Sequence, residues 1–429
     1  MQSPSLRHAW RFALLLLSVC ATTTCSTIRR PIPATGSTPE PSSLLLISLD
    51  GFRADYLDLG ITPTLSQLAR KGVRARWMTP SYPSLTFPNH YSLVTGLVPD
   101  HQGIVHNTMQ DSALGGFKLS NRMAVADSRW WGGEPIWVGA EKAGLRSATL
   151  FWPGSEAEID GVRPTRWTAF DESISLDARV DTVVGWMSES IATRPRIATL
   201  YFEHLDEASH AYGPDSIQAH AAVRELDAAL ARLVDGLARN GRLEHTNIIV
   251  TSDHGMATVP PGNVIDVESM VTREQAVVVT VGQVITIAPN PGFEAVVEKK
   301  LLGKHERYDC WRKGELPARW RYGSHPRIPP IVCQMHEGWD AQSAENIARR
   351  PKDHDRGSHG YDPALPSMRA IFVARGPAFR EGVVIEPFDN VDVYPLLARL
   401  IGVIPAANDG DAHALLPALN TLRDSGIPE

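Results

Sequence analysis

The chain has 429 residues, with 42 Lys and Arg against 48 Asp and Glu and a formal net charge of −6. This length is ample for a large buried core, in one large domain or a few smaller ones. An acidic chain without a basic footprint excludes duplex nucleic acid as the expected partner.

The N-terminus has the pattern of a secretory signal. Arg7 and Arg11 precede the apolar run 12–19, which is too short to span a bilayer as a permanent helix. We interpret residues 1–25 as a cleaved signal peptide and the Ser-, Thr- and Pro-rich residues 26–43 as a solvated tether. We therefore expect a periplasmic or secreted protein with no stable membrane span.

The four cysteines fall into two groups. Cys20 and Cys25 lie in the leader, and the residues before Cys20 resemble a bacterial lipoprotein cleavage site, although Val19 is a poor match. A lipoprotein anchored at Cys20 therefore stays open as the alternative. In an oxidising compartment the remaining pair, Cys310 and Cys333, predicts one disulfide, and two free buried thiols are the other interpretation.

Strand-like and helix-like segments alternate along most of the chain. Three continuous apolar runs, 44–50, 197–202 and 247–253, are typical of strands buried on both faces of a parallel sheet. Helical patterns are predicted at 62–72, 88–96, 135–143, 180–191, 215–240 and 391–402. This alternation predicts an α/β fold with helices on both faces of the sheet.

This alternation of strand-like and helix-like segments is absent from residues 258–356, which contain Pro-rich stretches, the cysteine pair and a strand-like run at 276–287. We predict an inserted or edge subdomain there. The α/β core would then be built from residues 44–257 and 357–429.

We predict that each of these three strands ends on an acidic residue: Asp50, Asp206 and Asp253. In open α/β sheets the ligand site lies at the carboxyl ends of the strands, so these side chains are expected to meet. Three buried carboxylates cannot all stay ionised unless cations hold them together.

Histidines stand at spacings that suit a shared cation. His210 is four residues after Asp206, His254 directly follows Asp253, and His359 lies in a Gly-rich turn. Mixed His and Asp ligands favour Zn²⁺ over Mn²⁺ or Fe²⁺. Each residue alone is more often a turn, cap or surface residue, but the full set predicts a two-metal site.

Thr86 stands just ahead of a predicted helix that starts at Pro88. A hydroxyl in this position lies near free backbone N–H groups and the positive end of the helix dipole, which stabilise anions. The alternative is that Thr86 is only a helix cap.

Five segments carry a resemblance to a known family. Residues 49–53, 86–90, 204–214, 252–256 and 359–362 resemble, in order and spacing, the motifs of the nucleotide pyrophosphatase/phosphodiesterase family of the alkaline phosphatase superfamily. The resemblance covers residues 44–257 and 357–402. It implies an alkaline-phosphatase-like fold, with a central, mostly parallel sheet flanked by helices.

The resemblance also implies a site with two Zn²⁺ ions. The ligands of the first would be Asp206, His210 and His359, and those of the second Asp50, Asp253, His254 and the oxygen of Thr86. Thr86 would be the nucleophile and Asn107 a donor to a phosphoryl oxygen. The formal charges of two Zn²⁺, three aspartates and a threonine alkoxide cancel, which favours a singly charged diester over a dianionic monoester.

The implied reaction is hydrolysis of nucleotide phosphodiester or pyrophosphate bonds to nucleoside 5′-monophosphates through a threonine-linked nucleotide. Phe87, Phe170 and Tyr201 would contact the nucleoside, although core packing is the alternative for Phe170 and Tyr201. Two other interpretations stay open: the same site acting on phospholipid head groups or on phosphonate or sulfate esters, and a non-catalytic, zinc-stabilised binding protein.

Overall fold

The computed structural model of the chain describes residues 40–420. The predicted signal peptide, Cys20 and most of the predicted tether lie outside the described residues. Among the described residues, no helix is both long enough and apolar enough to span a membrane.

The described strands and helices alternate through most of the chain, whereas strands predominate in residues 276–335. The strands are β1 Ser43–Leu49, β2 Val73–Ala75, β3 Met78–Thr79, β4 Thr108–Asp111, β5 Gly115–Lys118, β6 Ser147–Leu150, β7 Arg166–Thr168, β8 Ile197–Phe202, β9 Thr246–Thr251, β10 Ala257–Val259, β11 Val264–Asp266, β12 Ala276–Val278, β13 Val284–Pro289, β14 Gly303–Lys304, β15 Tyr308–Arg312, β16 Ile331–Met335, β17 Asp340–Gln342, β18 Arg356–Ser358, β19 Phe372–Arg375, β20 Val383–Ile385 and β21 Phe388–Asp389. The α-helices are α1 Pro63–Arg70, α2 Thr86–Thr95, α3 Pro99–Gln102, α4 Arg122–Ala126, α5 Ile136–Lys142, α6 Leu176–Met187, α7 His204–Tyr212, α8 Ile217–Arg239, α9 Val267–Met270, α10 Glu294–Leu301, α11 Ala344–Ala348 and α12 Val393–Ile401.

Eight strands form the central sheet in the order β20-β2-β19-β9-β1-β8-β6-β7. Neighbouring strands pair in parallel except β19, which runs antiparallel to both β2 and β9. The predicted α/β fold with a central, mostly parallel sheet is confirmed.

Strand β1 shows why the apolar runs are continuous. Leu44 and Leu46 pack into the hydrophobic cluster on one face of the sheet, with α2, α5 and α12. Leu45, Ile47 and Leu49 pack into the cluster on the other face, with α1, α6 and α8. Because both faces are covered, every position of the strand is buried and the strand is almost continuously apolar; near its carboxyl end Ser48 is buried as well, and its hydroxyl is bonded to His90.

A second sheet of five strands, in the order β12-β13-β16-β15-β14, lies within residues 276–335. The prediction of a single strand over 276–287 is wrong. Gly282, with φ of 108°, lies in a turn between β12 and β13, which pair antiparallel. The predicted disulfide between Cys310 and Cys333 is confirmed and joins β15 to β16. The predicted subdomain boundaries at 258 and 356 stay a prediction.

Candidate active site

The three strands at the centre of the sheet bring the predicted aspartates to one edge. In the parallel register Leu49 of β1 pairs with Phe202 of β8, and Ser48 with Thr251 of β9, so the carboxyl ends of these strands are level. Asp50 and Asp253 follow β1 and β9 within two residues, as expected. Asp206 does not end a strand, because the chain turns into α7 after β8 and places this residue in the first helical turn.

One group of ligand atoms comes from Asp206, His210 and His359. His210 follows Asp206 by one turn of α7, and its Nε2 lies 3.4 Å from a carboxylate oxygen of Asp206. The Nδ1 atoms of His210 and His359 donate to the carbonyl oxygens of Gly357 and Ser84, each at 2.9 Å. The two Nε2 atoms therefore carry lone pairs, yet they face each other at 3.1 Å.

Two further groups share Asp50, which lies with Asp206 and His254 in one and with His90 and Asp253 in the other. The Nε2 atom of His254 lies 2.9 Å from Asp253 Oδ2 and 3.5 Å from Asp50 Oδ1. Its Nδ1 donates to the carbonyl of Gly255 at 2.8 Å, which again turns the Nε2 lone pair toward the carboxylates. The hydroxyl oxygen of Thr86 lies 3.4 Å from the same Nε2.

The electrostatics of these groups point to missing positive charge. Burial raises the pKa of Asp50 well above its usual value, and the carboxylates of Asp253 and Asp206 raise it further. Burial also raises the pKa of Asp253, but the imidazoles of His254 and His90 outweigh this and hold it well below its usual value. For His359, burial and then the two neighbouring imidazoles lower the pKa, so this ring is neutral and free to act as a ligand.

Orphaned oxygen atoms test whether cations fit here. Asp50 Oδ1, Asp206 Oδ1 and Asp253 Oδ2 are buried and have no hydrogen-bond partner within residues 40–420. Burying a carboxylate oxygen without a partner costs free energy. The imidazole Nε2 atoms of His210 and His254 lie within 3.5 Å of these carboxylates. The residues present therefore fit divalent cations that accept nitrogen and oxygen ligands.

Helix α2 positions Thr86 differently from the prediction. The helix begins at Thr86 itself, and Pro88 lies in its first turn, where no intrahelical N–H bond is lost. Leu85 occupies the N-cap position, and no side chain caps the helix. The helix-cap interpretation of Thr86 therefore does not hold, and its hydroxyl is directed to the Asp and His cluster instead.

His90 is a site residue that the sequence interpretation missed. It lies one turn after Thr86 on α2 and is fully buried. Its Nδ1 donates to the carbonyl of Thr86 at 2.9 Å and lies 3.3 Å from Asp253, and its Nε2 lies 2.8 Å from Ser48 Oγ. Because both nitrogens are engaged, His90 positions Thr86 and Asp253. The spacing of four residues from Thr86 was the available signal.

The side-chain amide of Asn107 is fixed through its oxygen atom. Its Oδ1 accepts a 2.9 Å hydrogen bond from the backbone N–H of Phe87, the residue after Thr86. This bond leaves the Nδ2 group of Asn107 available as a donor.

A cavity of about 260 Å³, here called the aromatic slot, opens beside Thr86, Asp50 and Asp206, and its wall includes Phe87, Phe170 and Tyr201. Tyr201 is only 8% exposed, and its hydroxyl donates to Asp50 Oδ2 at 2.6 Å. Phe170 packs edge-on against Tyr201, with ring centroids 6.0 Å apart. The structure thus brings all three predicted aromatic residues to one cavity and ties Tyr201 to a carboxylate as well.

Comparison with known proteins identifies the family. A family model described as type I phosphodiesterase / nucleotide pyrophosphatase matches residues 44–362, a range that includes every predicted site residue. The chain belongs to this family. Like other type I phosphodiesterases, it is a hydrolase, and this excludes the non-catalytic binding protein as an interpretation.

Two relatives and one solved structure of this phosphodiesterase family match over most of their length. An uncharacterised pyrophosphatase/phosphodiesterase of Schizosaccharomyces pombe is 35% identical over 388 residues, which cover 88% of this chain and 80% of that protein. Human ectonucleotide pyrophosphatase/phosphodiesterase family member 7 is 34% identical over 97% of this chain and 91% of its own. The solved structure of an inactive variant of murine ectonucleotide pyrophosphatase/phosphodiesterase 5, in complex with AMP, superposes with a TM-score of 0.83 at 33% identity and covers 89% of this chain and 100% of that one.

Proposed function

We propose that this hydrolase cleaves nucleotide phosphodiester or pyrophosphate bonds and releases nucleoside 5′-monophosphates, with Thr86 as the nucleophile. The observation that carries the proposal is the position of the Thr86 hydroxyl, at the start of α2 and 3.4 Å from a ligand atom of the buried Asp and His cluster. A threonine in this setting can be activated, whereas a free threonine hydroxyl is a poor nucleophile near neutral pH.

The donor atoms support two Zn²⁺ ions. Asp206, His210 and His359 would hold the first, and Asp50, Asp253 and His254 the second, together with the hydroxyl oxygen of Thr86. When bound, such ions supply the positive charge that compensates the carboxylates and lowers the pKa of the Thr86 hydroxyl.

The chain's own residues would then carry out the reaction. Thr86 Oγ1, its proton lost to solvent, attacks the phosphorus and forms a nucleotide ester, while the leaving group departs with the bonding electrons of the P–O bond. The Nδ2 group of Asn107 donates to a phosphoryl oxygen as negative charge develops there. His90 holds the Thr86 carbonyl and so the start of α2 in place. Water then hydrolyses the ester and restores Thr86.

The aromatic slot suits the nucleoside. Phe87 and Phe170 are half-buried and offer ring faces on which a base can stack, at about 1–3 kcal/mol per stacked base. Tyr201 contributes less to stacking because its ring is buried and its hydroxyl is bonded to Asp50.

A second candidate substrate class is a phospholipid head group that carries a quaternary ammonium. Among the described residues, Glu172 and Glu207 line the aromatic slot without an ion-pair partner. Carboxylates beside aromatic rings attract such cations. The phosphonate and sulfate ester alternatives have no comparable observation in their favour.

We also propose that the protein is secreted or periplasmic. The buried Cys310–Cys333 disulfide supports an oxidising compartment, in which the predicted signal peptide would place the chain.

A substrate panel tests the proposed function. The purified protein would be assayed with thymidine 5′-monophosphate 4-nitrophenyl ester, ATP, a choline phospholipid and 4-nitrophenyl phosphate, each with and without chelator. We expect the two nucleotides to be the best substrates and chelation to abolish their hydrolysis. A wide preference for 4-nitrophenyl phosphate would contradict the diesterase assignment, and a preference for the choline lipid would favour the second candidate.

A further inference from the structure

A second cavity, of about 520 Å³, reaches the same centre as the aromatic slot. The second cavity reaches the Asp and His cluster at His210 and His359, and its wall includes Asn107. The aromatic slot reaches the same cluster at Asp50 and Thr86. A substrate whose phosphorus lies at Thr86 therefore has room for one substituent in each cavity. We call this second space the arginine cavity, after Arg349, Arg350 and Arg356, which line it.

The two cavities differ in charge. Among the described residues that line the arginine cavity, the three arginines face a single carboxylate, Asp340. In the aromatic slot the balance is reversed, because Arg122 pairs with Glu156 while Glu172 and Glu207 have no ion-pair partner among the described residues. An anionic substituent would be repelled from the slot and attracted to the arginine cavity.

Arg356 is the guanidinium that is free to bind a ligand. Arg350 forms an ion pair with Asp340, and Arg349 forms one with Glu345. Arg356, half-buried on β18, has no hydrogen-bond or ion-pair partner among the described residues. A guanidinium stays protonated, so a half-buried one without a partner favours an anion beside it.

The neighbouring Arg350 makes the binding of an anion beside Arg356 more favourable. Burial, and then the nearby charge of Arg356, lower the pKa of Arg350 to about 10. Two like charges are therefore close together, and Asp340 compensates only one of them.

We infer that the arginine cavity binds the polyphosphate leaving group of a nucleoside triphosphate, with Arg356 as a specificity-determining ligand. The inference rests on the proposed function. In the proposed step the bond from Thr86 Oγ1 to the α-phosphorus forms, and the bond from that phosphorus to the bridging oxygen breaks. The electron pair leaves on pyrophosphate, whose charge Arg356 stabilises through charge-assisted hydrogen bonds.

Paired kinetics test the inference. Arg356→Gln should lower kcat/KM for ATP by about 10–100-fold, the effect of losing a hydrogen bond between charged groups. The same variant should keep kcat/KM for thymidine 5′-monophosphate 4-nitrophenyl ester within about twofold of the wild-type value, because the nitrophenolate leaving group carries no phosphate charge. Arg356→Lys keeps the charge but lacks the planar guanidinium, so its kcat/KM for ATP should lie between those of the wild type and Arg356→Gln. Arg232→Gln removes a surface arginine paired with Asp181 and serves as the matched control.

A binding measurement gives a readout that does not depend on turnover. In the Thr86→Ala background, titration calorimetry should show ATP binding more tightly than AMP, and adding Arg356→Gln should abolish the difference. If the wild type hydrolyses both substrates but Arg356→Gln changes both equally or neither, the inference is wrong and the proposed function stands. If the wild type hydrolyses neither nucleotide, the proposed function fails and the inference fails with it. A misfolded Arg356→Gln, detected by thermal unfolding, leaves Arg356→Lys to decide by the same substrate ratio.

Discussion

Asn107 offers a sharp test at the scale of single residues. Its Oδ1 is bonded to the Phe87 N–H, so its Nδ2 is the group available to a phosphoryl oxygen. We predict that Asn107→Ala lowers kcat by about 10²–10³-fold, the usual cost of removing one preorganised donor. Steady-state kinetics with the nitrophenyl diester measure this.

The control for this prediction is Asn107→Asp. It keeps an oxygen for the Phe87 N–H but has no donor, so it should be at least as slow as Asn107→Ala. A rise in KM with unchanged kcat in both variants would contradict the assigned role, because it would mean that Asn107 contributes only to ground-state binding.

Tyr201 gives a second prediction at this scale. Its hydroxyl donates to Asp50 Oδ2, and partners that orient metal ligands are typically worth about 10–100-fold in metal affinity. We expect Tyr201→Phe to weaken zinc binding by about that factor in competition with a chromogenic chelator. Tyr322→Phe, which loses a bond to the carbonyl of Val105 instead, should bind zinc as the wild type does. Equal affinity in the two variants would remove Tyr201 from the metal site.

At the scale of elements, a buried ion pair connects α6 to the end of β8. Both guanidinium nitrogens of Arg179 bond the carboxylate of Glu203, at 2.5 and 2.7 Å, and both side chains are buried. Arg179→Met should lower the free energy of unfolding by about 3–5 kcal/mol, because Glu203 is left as a buried, unpaired charge. Urea unfolding followed by circular dichroism measures the loss.

The double variant with Arg179→Met and Glu203→Leu is the matched control. Since it removes both charges, most of the lost stability should return. If the double variant is as unstable as the single one, packing around Arg179, rather than the unpaired carboxylate, accounts for the loss.

The same scale shows what the sequence could and could not predict. The apolar runs of β1, β8 and β9 identified the centre of the sheet because burial on both faces makes the sequence of a strand predominantly apolar. The helical position of Asp206 was not recognised, since an acid soon after an apolar run looks the same at a strand end and in a first helical turn.

Contacts between distant residues were beyond the sequence patterns. The bond from the Tyr201 hydroxyl to Asp50 and the position of Arg356 in one cavity with Asn107 depend on which segments the fold brings together. Two pairs of the proposed metal ligands could be predicted because their spacings are local: four residues from Asp206 to His210 and one from Asp253 to His254. His90 shares such a local spacing with Thr86, but nothing in the sequence distinguished it from a core histidine.

At the scale of the whole molecule, the site couples metal binding to stability. Asp50, Asp206 and Asp253 meet beyond the carboxyl ends of three central strands, and each has a buried oxygen without a hydrogen-bond partner among the described residues, so a molecule without cations carries uncompensated charge at this edge of its sheet. Free zinc at about 100 times its dissociation constant would stabilise the fold by about 2.7 kcal/mol. Because the unfolding entropy of a chain of this size is large, we expect exhaustive chelation to lower Tm by about 3 °C and to abolish activity.

Restoring the metal completes this test. Zinc should recover both Tm and activity, and Mg²⁺ should recover neither, because it favours oxygen ligands in octahedral geometry. Unchanged Tm and activity after chelation would contradict a structural and catalytic role for metal at this site.

The most direct test of the account is the activity and zinc content of Thr86→Ala, measured side by side on the folded protein. The account predicts a loss of about 10³–10⁶-fold in kcat, as expected for removal of a nucleophile. Zinc content should stay near that of the wild type, because the carboxylate and imidazole ligands remain. Thr86→Ser, which keeps a hydroxyl, should retain measurable turnover. Thr86→Ala hydrolysing the nitrophenyl diester at close to the wild-type rate would contradict the assignment of Thr86 as the nucleophile.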